Sequence, residues 1–320
     1  MYEFEEPVLK SLFSLFGMPV YPYALFVTLG ACLALWLGLS RSRKTGLERG
    51  VVLTFALLAI PLGVICGRAV FCMCRIVDVM DFGFGYIFRI DYGGFSLIGV
   101  TLGMALAAWI TRVIHRVSFL DVCDTVTPAL LLVLAFARFA EGATMNGTGP
   151  EITVPALQFA PLARQGLYGE YTYAVHMGEA LTALIAAVYT QTLPGGCRGF
   201  TCGMGVTIAA AAQVVWESAR RDEVLKFDFI RYGMAFAAVL LLLTLVLSMR
   251  RAGWKVGKWA LYIGLFAFFA LVCVAMEFFV DGKFIQNVPI WVCYLCDSLS
   301  ACGLAVLCMN ALRAACRKTA

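Results

Sequence analysis

Apolar runs of about 20 residues follow one another along the chain, and they constrain its fold more than any other feature. A helix of that length crosses the hydrocarbon core of a bilayer, which is about 30 Å thick. Hydrophobic residues make up 62% of the 320 residues and charged residues only 14%, whereas soluble domains carry about 25% charged residues. The composition therefore excludes an ordinary soluble domain, a disordered chain and a nucleic-acid-binding protein. We predict an all-α, polytopic integral membrane protein.

Nine windows are predicted to span the membrane. They cover residues 19–40, 51–74, 94–113, 122–142, 174–193, 200–218, 229–249, 258–280 and 287–311. With the N-terminus outside, fourteen Lys and Arg fall in inner segments and nine in outer ones. Because Lys and Arg are concentrated in cytoplasmic loops, we predict an external N-terminus and a cytoplasmic C-terminus. Residues 143–173 then form a small extracytoplasmic head or loop.

The cysteine pattern favours neither a disulfide framework nor a metal site. Most of the thirteen cysteines lie within apolar runs, where a thiol packs as a small hydrophobe. Cys293 and Cys296 form one CxxC pair, without the second pair or histidine cluster that completes a tetrahedral metal site. We therefore predict no metal ion and no cofactor.

Ionisable residues inside the predicted spans point to a functional site, because such groups are costly in hydrocarbon. They are Arg68, Arg138, Glu141, Glu179, Glu217, Glu277 and Asp297. On the predicted topology all but Asp297 lie toward the outer ends of their spans. Arg138 and Glu141 are three residues apart and share a helix face, which also fits an internal ion pair that only holds helices together. A guanidinium offers several donors in one plane and suits a phosphate group.

Two histidines and two aspartates are weaker candidates for the functional site. His115 lies in a basic cytoplasmic turn, where a solvated or lipid-bound role is expected. His176 lies one helical turn before Glu179 and is the better candidate for acid–base chemistry. Asp121 and Asp124 begin a predicted helix, and acids there are typical of helix capping.

Several motifs resemble the prolipoprotein diacylglyceryl transferase family of the bacterial inner membrane. The resemblance rests on residues 21–47, Gly67 with Arg68, residues 92–103 (YGGFSLIGVTLG) and residues 117–142 (VSFLDVCDTVTPALLLVLAFARFAEG), and more weakly on residues 175–184 and 199–223. It extends over residues 19–245. It implies a transferase-like membrane domain over residues 1–250 and an additional pair of transmembrane helices over residues 251–320.

The resemblance also implies a set of site residues. The catalytic candidates are Arg138, Glu141 and Glu217, and the substrate-binding candidates are Tyr23, Arg68, Gly93, Gly94, Ser96, Gly99, Asn146, Glu179 and Gln213. Three positions depart from the family pattern. Ile98 stands where the family has a histidine, Glu141 replaces an asparagine, and Gln213 replaces a second arginine.

The family reaction implied by the resemblance transfers the diacylglyceryl group of phosphatidylglycerol to the lipobox cysteine thiol of a prolipoprotein. The expected partners are phosphatidylglycerol, prolipoprotein signal peptides and membrane lipid, with no nucleic acid, and the expected location is the bacterial plasma membrane. With Ile98 in place of the histidine, we expect Glu141 to accept the thiol proton, with Glu179, His176 or water as alternatives. Two other functions remain open: a non-catalytic lipid-binding homologue, and a lipid or solute transporter.

Overall fold

The protein is a helical bundle with a small sheet at one end. The computed structural model describes residues 11–15, 18–89, 94–144, 146–166, 169–221, 226–227, 230–280 and 289–319. Its helices are α1 (Pro22–Thr45), α2 (Arg49–Cys74), α3 (Ile76–Phe82), α4 (Leu97–His115), α5 (Phe119–Glu141), α6 (Val175–Thr192), α7 (Phe200–Ala219), α8 (Tyr232–Ala252), α9 (Val256–Val280) and α10 (Ile290–Thr319). The strands are β1 (Phe13–Leu15), β2 (Met18–Val20), β3 (Thr148–Glu151), β4 (Ala163–Gln165), β5 (Tyr171–Ala174), β6 (Lys226–Phe227) and β7 (Ile230–Arg231).

The prediction of an all-α polytopic membrane protein is confirmed. Each of the nine predicted windows overlaps one of the long helices. Within the described residues, seven helices are long and apolar enough to cross a membrane. Helices α6 and α7 are not among them, because they carry polar residues such as Glu179 and Glu217. The seven apolar helices make this a multi-pass membrane protein, while the count of nine spans stays a prediction.

Helices α2 and α4 pack backbone against backbone through glycines. A Cβ atom added at Gly99 would lie 2.2 Å from the carbonyl oxygen of Cys66, and one added at Gly103 would lie 2.4 Å from that of Leu62. No side chain fits at such distances, so both positions require glycine. Gly99 was predicted to bind substrate; in the structure it packs against the backbone of α2, and its role toward substrate stays a prediction.

One end of the bundle is held by two buried polar residues. Arg41, whose side chain is fully buried, donates to the carbonyl oxygens of Gln191 and Leu193 at 2.9 and 2.8 Å. Asp124 accepts hydrogen bonds from the backbone N–H groups of Gly199 and Cys202 at 2.5 and 2.7 Å. The predicted capping role of Asp124 is therefore corrected in one respect: it caps the start of α7 rather than of its own helix.

The last helix shares a core with the helices before it. Helix α10 packs against α7, α8 and α9, and Leu241, Leu304 and Cys308 belong to one buried apolar cluster. A disulfide joins Cys197, in the α6–α7 loop, to Cys316 in α10, a pairing that the apolar-run interpretation of the cysteines did not predict. The division of the chain at residue 250 stays a prediction.

The opposite end of the bundle carries a three-stranded antiparallel sheet in the order β3-β5-β4. Its strands lie between α5 and α6, within the segment that was expected to form a small head. The backbone N–H of Arg221, just after α7, donates to the carbonyl oxygen of Thr148 in β3 at 2.8 Å. The sheet therefore ties together the ends of α5, α6 and α7, where the buried charges collect.

Candidate functional site

Two arginines and two glutamates form a closed ring of ion pairs where α5, α6 and α7 meet beneath the sheet. Arg138 Nη1 lies 2.5 Å from Glu141 Oε1, and Arg138 Nε lies 3.5 Å from Glu179 Oε2. Arg220 closes the ring, with Nη2 2.9 Å from Glu141 Oε2 and Nη1 3.0 Å from Glu179 Oε2. The four side chains are between 4% and 16% exposed. We call this group the charge ring.

The charges of the ring balance, since two guanidinium groups face two carboxylates. Buried ion pairs survive the loss of hydration only when each partner is hydrogen-bonded in good geometry, and each carboxylate here meets both arginines. From their spacing, Arg138 and Glu141 were predicted to share a helix face, and an internal ion pair was left open. Arg220 was not among the predicted site residues, because it follows the last apolar window of its helix and resembles an outer-loop cation.

Glu217 and Gln213 lie beside the ring in a second hydrogen-bonded group. Gln213 Nε2 donates to Glu217 Oε2 one turn later in α7. Arg231 Nη1 donates to the carbonyl oxygen of Arg220 at 2.8 Å and also to that of Glu217. Gly233 leaves room for the Glu217 carboxylate, because an added Cβ would lie 2.7 Å from it. Glu217 thus supports the end of α7 that carries Arg220, and the structure places it next to the ring rather than in it.

His176 lies on the other side of Glu141 and is 4% exposed. Its ring Nδ1 is 3.2 Å from the carbonyl oxygen of Gly147, and its backbone N–H donates to the same oxygen at 3.0 Å. Gly147 has φ +71°, and an added Cβ would lie 2.5 Å from His176 Cβ and 3.1 Å from Glu141 Oε2. Since a carbonyl only accepts, Nδ1 must carry the hydrogen, which leaves Nε2 as an acceptor in the neutral imidazole.

Two other predicted residues are at the border of this region. Tyr23, at the start of α1, is 39% exposed and lies within electrostatic range of Glu141 and Arg138. Asn146 is exposed and directly precedes Gly147. The role of both residues in binding substrate stays a prediction.

A sequence model of the prolipoprotein diacylglyceryl transferase family matches residues 10–250 of the chain. The chain belongs to this family. The phosphatidylglycerol-prolipoprotein diacylglyceryl transferase of Bacillus velezensis is 23% identical over 264 residues, which cover 78% of this chain and 95% of the relative. The enzyme of the same name from Bacillus licheniformis is 24% identical and covers 76% and 92%. That of Clostridioides difficile is 29% identical over a shorter stretch, 42% of this chain and 53% of the relative.

Arg68 contacts the described part of the family-like glycine segment and belongs to α2, not to the three helices that carry the charge ring. The Arg68 guanidinium donates to the backbone carbonyl oxygens of Tyr86, Ile87, Arg89 and Gly94 at 2.6 to 3.2 Å. It also faces the rings of Phe71 and Tyr86. Within the described residues these carbonyls engage the donors of Arg68 and hold residues 84–89 and Gly94 against α2. The role of Arg68 in binding substrate phosphate stays a prediction.

The remaining residues of this segment also have structural contacts. Gly94 has φ +76°, and an added Cβ would lie 2.8 Å from Arg68 Nη1. Ser96 is buried, and its backbone N–H donates to the carbonyl oxygen of Gly67 at 3.1 Å. Ile98 is partly buried in the first turn of α4. Gly93 lies outside the described residues. The described contacts of Gly94 and Ser96 are therefore with α2, and their role in binding substrate stays a prediction.

Proposed function

We propose that this chain transfers the diacylglyceryl group of phosphatidylglycerol to the cysteine thiol of a prolipoprotein, as the names of its relatives state for them. The observation that carries the proposal is the charge ring, which keeps two guanidinium groups in fixed positions at one end of the bundle. Family membership supports the substrate class. The proposed setting is the bacterial plasma membrane, with nine spans, the N-terminus outside and the ring toward the outer leaflet, where lipid head groups lie.

Arg138 is the proposed phosphate-binding residue. Its Nη1 and Nε contact the two glutamates, and no acceptor within the described part of the chain takes a hydrogen bond from its Nη2. A guanidinium that is held by two carboxylates and retains a donor is pre-organised to bind a phosphate oxygen. As the reaction proceeds, the same donor stabilises the charge that develops on the leaving phosphate.

The transfer step requires a base for the thiol proton. The thiolate sulfur attacks the glycerol carbon of the diacylglyceryl group, a C–S bond forms, and the C–O bond to phosphate breaks to release glycerol phosphate. Glu141 was our expected base, but both of its oxygens are occupied by arginine donors, so it could accept a proton only by giving up an ion pair. We propose that His176 Nε2 takes the proton instead, with Nδ1–H held by Gly147, since a positioned imidazole is the commonest general base.

Complementation tests this function. The chain is expressed in cells depleted of their own transferase, and modification of a lipoprotein precursor is followed by growth and by its change in gel mobility. We expect wild type and Arg198→Ala to restore modification, because the Arg198–Asp121 pair is exposed, and we expect Arg138→Ala to fail. If the wild-type chain binds lipid but modifies no precursor, the non-catalytic homologue is the correct reading.

A further inference from the structure

A narrow cleft between α5, α6 and α7 opens beside the charge ring. Its lining is mainly apolar and includes parts of Arg138, Glu179, Thr182, Gln213 and Trp216. It has room for a group the size of a hydroxyl or a water molecule. Glu179 is 4% exposed. Its Oε2 is bound by both arginines of the ring, but its Oε1 is buried and has no hydrogen-bond partner.

No donor among the described residues that line the cleft is hydrogen-bonded to Glu179 Oε1. Thr182 Oγ1 donates within its own helix, to the carbonyl oxygen of Gly178 or Glu179 at 3.0 Å, and accepts from Trp216 Nε1 at 3.2 Å. Gln213 Nε2 donates to Glu217. A buried acceptor without a donor destabilises the protein, and a charged acceptor does so more strongly. A donor on a bound molecule would satisfy Oε1.

We propose that Glu179 Oε1 accepts a hydrogen bond from a hydroxyl of the lipid's glycerol head group and so selects lipids with polyol head groups. This inference rests on the proposed function. Arg138 Nη2 supplies the neighbouring donor for a phosphate oxygen, and a phosphoglycerol group carries an anionic oxygen and hydroxyls a few bonds apart. A head group without a hydrogen-bond donor leaves Oε1 buried and unsatisfied. The missing hydrogen bond, rather than a steric clash, then disfavours that lipid.

The test compares two lipids that differ only in these hydroxyls. Phosphatidylglycerol and phosphatidylpropanol, which has the same phosphate and no head-group hydroxyl, compete with a fluorescent phosphatidylglycerol for purified protein in nanodiscs. We expect wild type to prefer phosphatidylglycerol roughly 10-fold or more, the range of a hydrogen bond to a charged group, and Glu179→Gln to lose most of that preference. Glu141→Gln is the matched control: it removes the same charge from the ring, but both Glu141 oxygens already have arginine donors, so the preference should persist.

The outcomes separate this subsite from the proposed reaction. Equal affinity of wild type for the two lipids would mean that a water molecule satisfies Oε1, and the inference would be wrong. An unchanged preference in Glu179→Gln would contradict it equally. A preference that depends on Glu179 in a protein without transfer activity would keep the subsite and reject the transferase. Transfer at the same kcat/KM from both lipids would support the transferase and reject the subsite.

Discussion

Removal of the Arg138 guanidinium should destabilise the fold as well as abolish transfer. Arg138 makes two of the four contacts in the charge ring, at 2.5 and 3.5 Å. In Arg138→Ala, two carboxylates that are 16% and 4% exposed share the single guanidinium of Arg220. Removing one partner of a buried ion pair costs about 3–5 kcal/mol, because the other charge is left without compensation.

A second substitution separates the structural effect from the catalytic one. Glu141→Gln in the Arg138→Ala background returns the ring to one positive and one negative charge. We expect this double variant to recover at least half of the lost stability, since the uncompensated charge was the main penalty. Transfer should remain absent in both variants, because neither supplies the phosphate donor. Arg138→Lys should also fail, since an ammonium group cannot reproduce the planar fork of the guanidinium.

The assay is thermal unfolding in detergent, followed by tryptophan fluorescence. At about 2 °C per kcal/mol for a chain of this size, Arg138→Ala should lower Tm by roughly 6–10 °C. The control is Arg198→Ala at the opposite end of the bundle, whose exposed pair with Asp121 should contribute no more than about 1 kcal/mol. The charge-balance reasoning would be refuted if Arg138→Ala lowered Tm no more than Arg198→Ala does. It would also be refuted if adding Glu141→Gln to Arg138→Ala restored none of the lost Tm.

Three further predictions follow from the other contacts. His176→Gln should reduce kcat with little change in KM for lipid, because it removes the proposed base but not the phosphate site. Single-turnover transfer measures this effect, and an unchanged rate would mean that another group accepts the thiol proton. Arg68→Ala should lower Tm and protein yield, since it frees four carbonyl contacts, and a stable variant that has lost only lipid affinity would support the phosphate role. Reporter fusions at Gly46 and at Ala320 should both indicate cytoplasm, and a periplasmic signal at either would contradict the proposed orientation.

The helices could be predicted from the sequence because hydrophobic length is a local property. Each apolar window overlaps a long helix, and the three-residue spacing of Arg138 and Glu141 was sufficient to predict that they share a helix face. The rest of the ring was beyond this reasoning. Arg220 contacts Glu179 and Glu141 across 41 and 79 residues of sequence, and such separations are settled only by how α5, α6 and α7 pack.

Arg68 shows why an embedded charge is ambiguous when only the sequence is known. A buried guanidinium needs acceptors, and the sequence does not distinguish the oxygens of a lipid phosphate from the carbonyl oxygens of the protein's own loop. In the structure the loop supplies them. Gly99 illustrates the same limit. The sequence alone does not show whether a glycine in a family-like motif makes room for a ligand or for a neighbouring helix. In the structure Gly99 allows the backbone of α2 to approach closely.

Direct transfer by the purified protein is the measurement that tests the central proposal. The protein, phosphatidylglycerol and a prolipoprotein-derived peptide with one lipobox cysteine are incubated in detergent, and the peptide mass and released glycerol phosphate are measured together. We predict that the peptide gains one diacylglyceryl group for each glycerol phosphate released, and that the same peptide with serine in place of cysteine gains none. An unmodified cysteine peptide beside correctly folded wild-type protein, under conditions where the relative from Bacillus licheniformis modifies it, would contradict the proposed function.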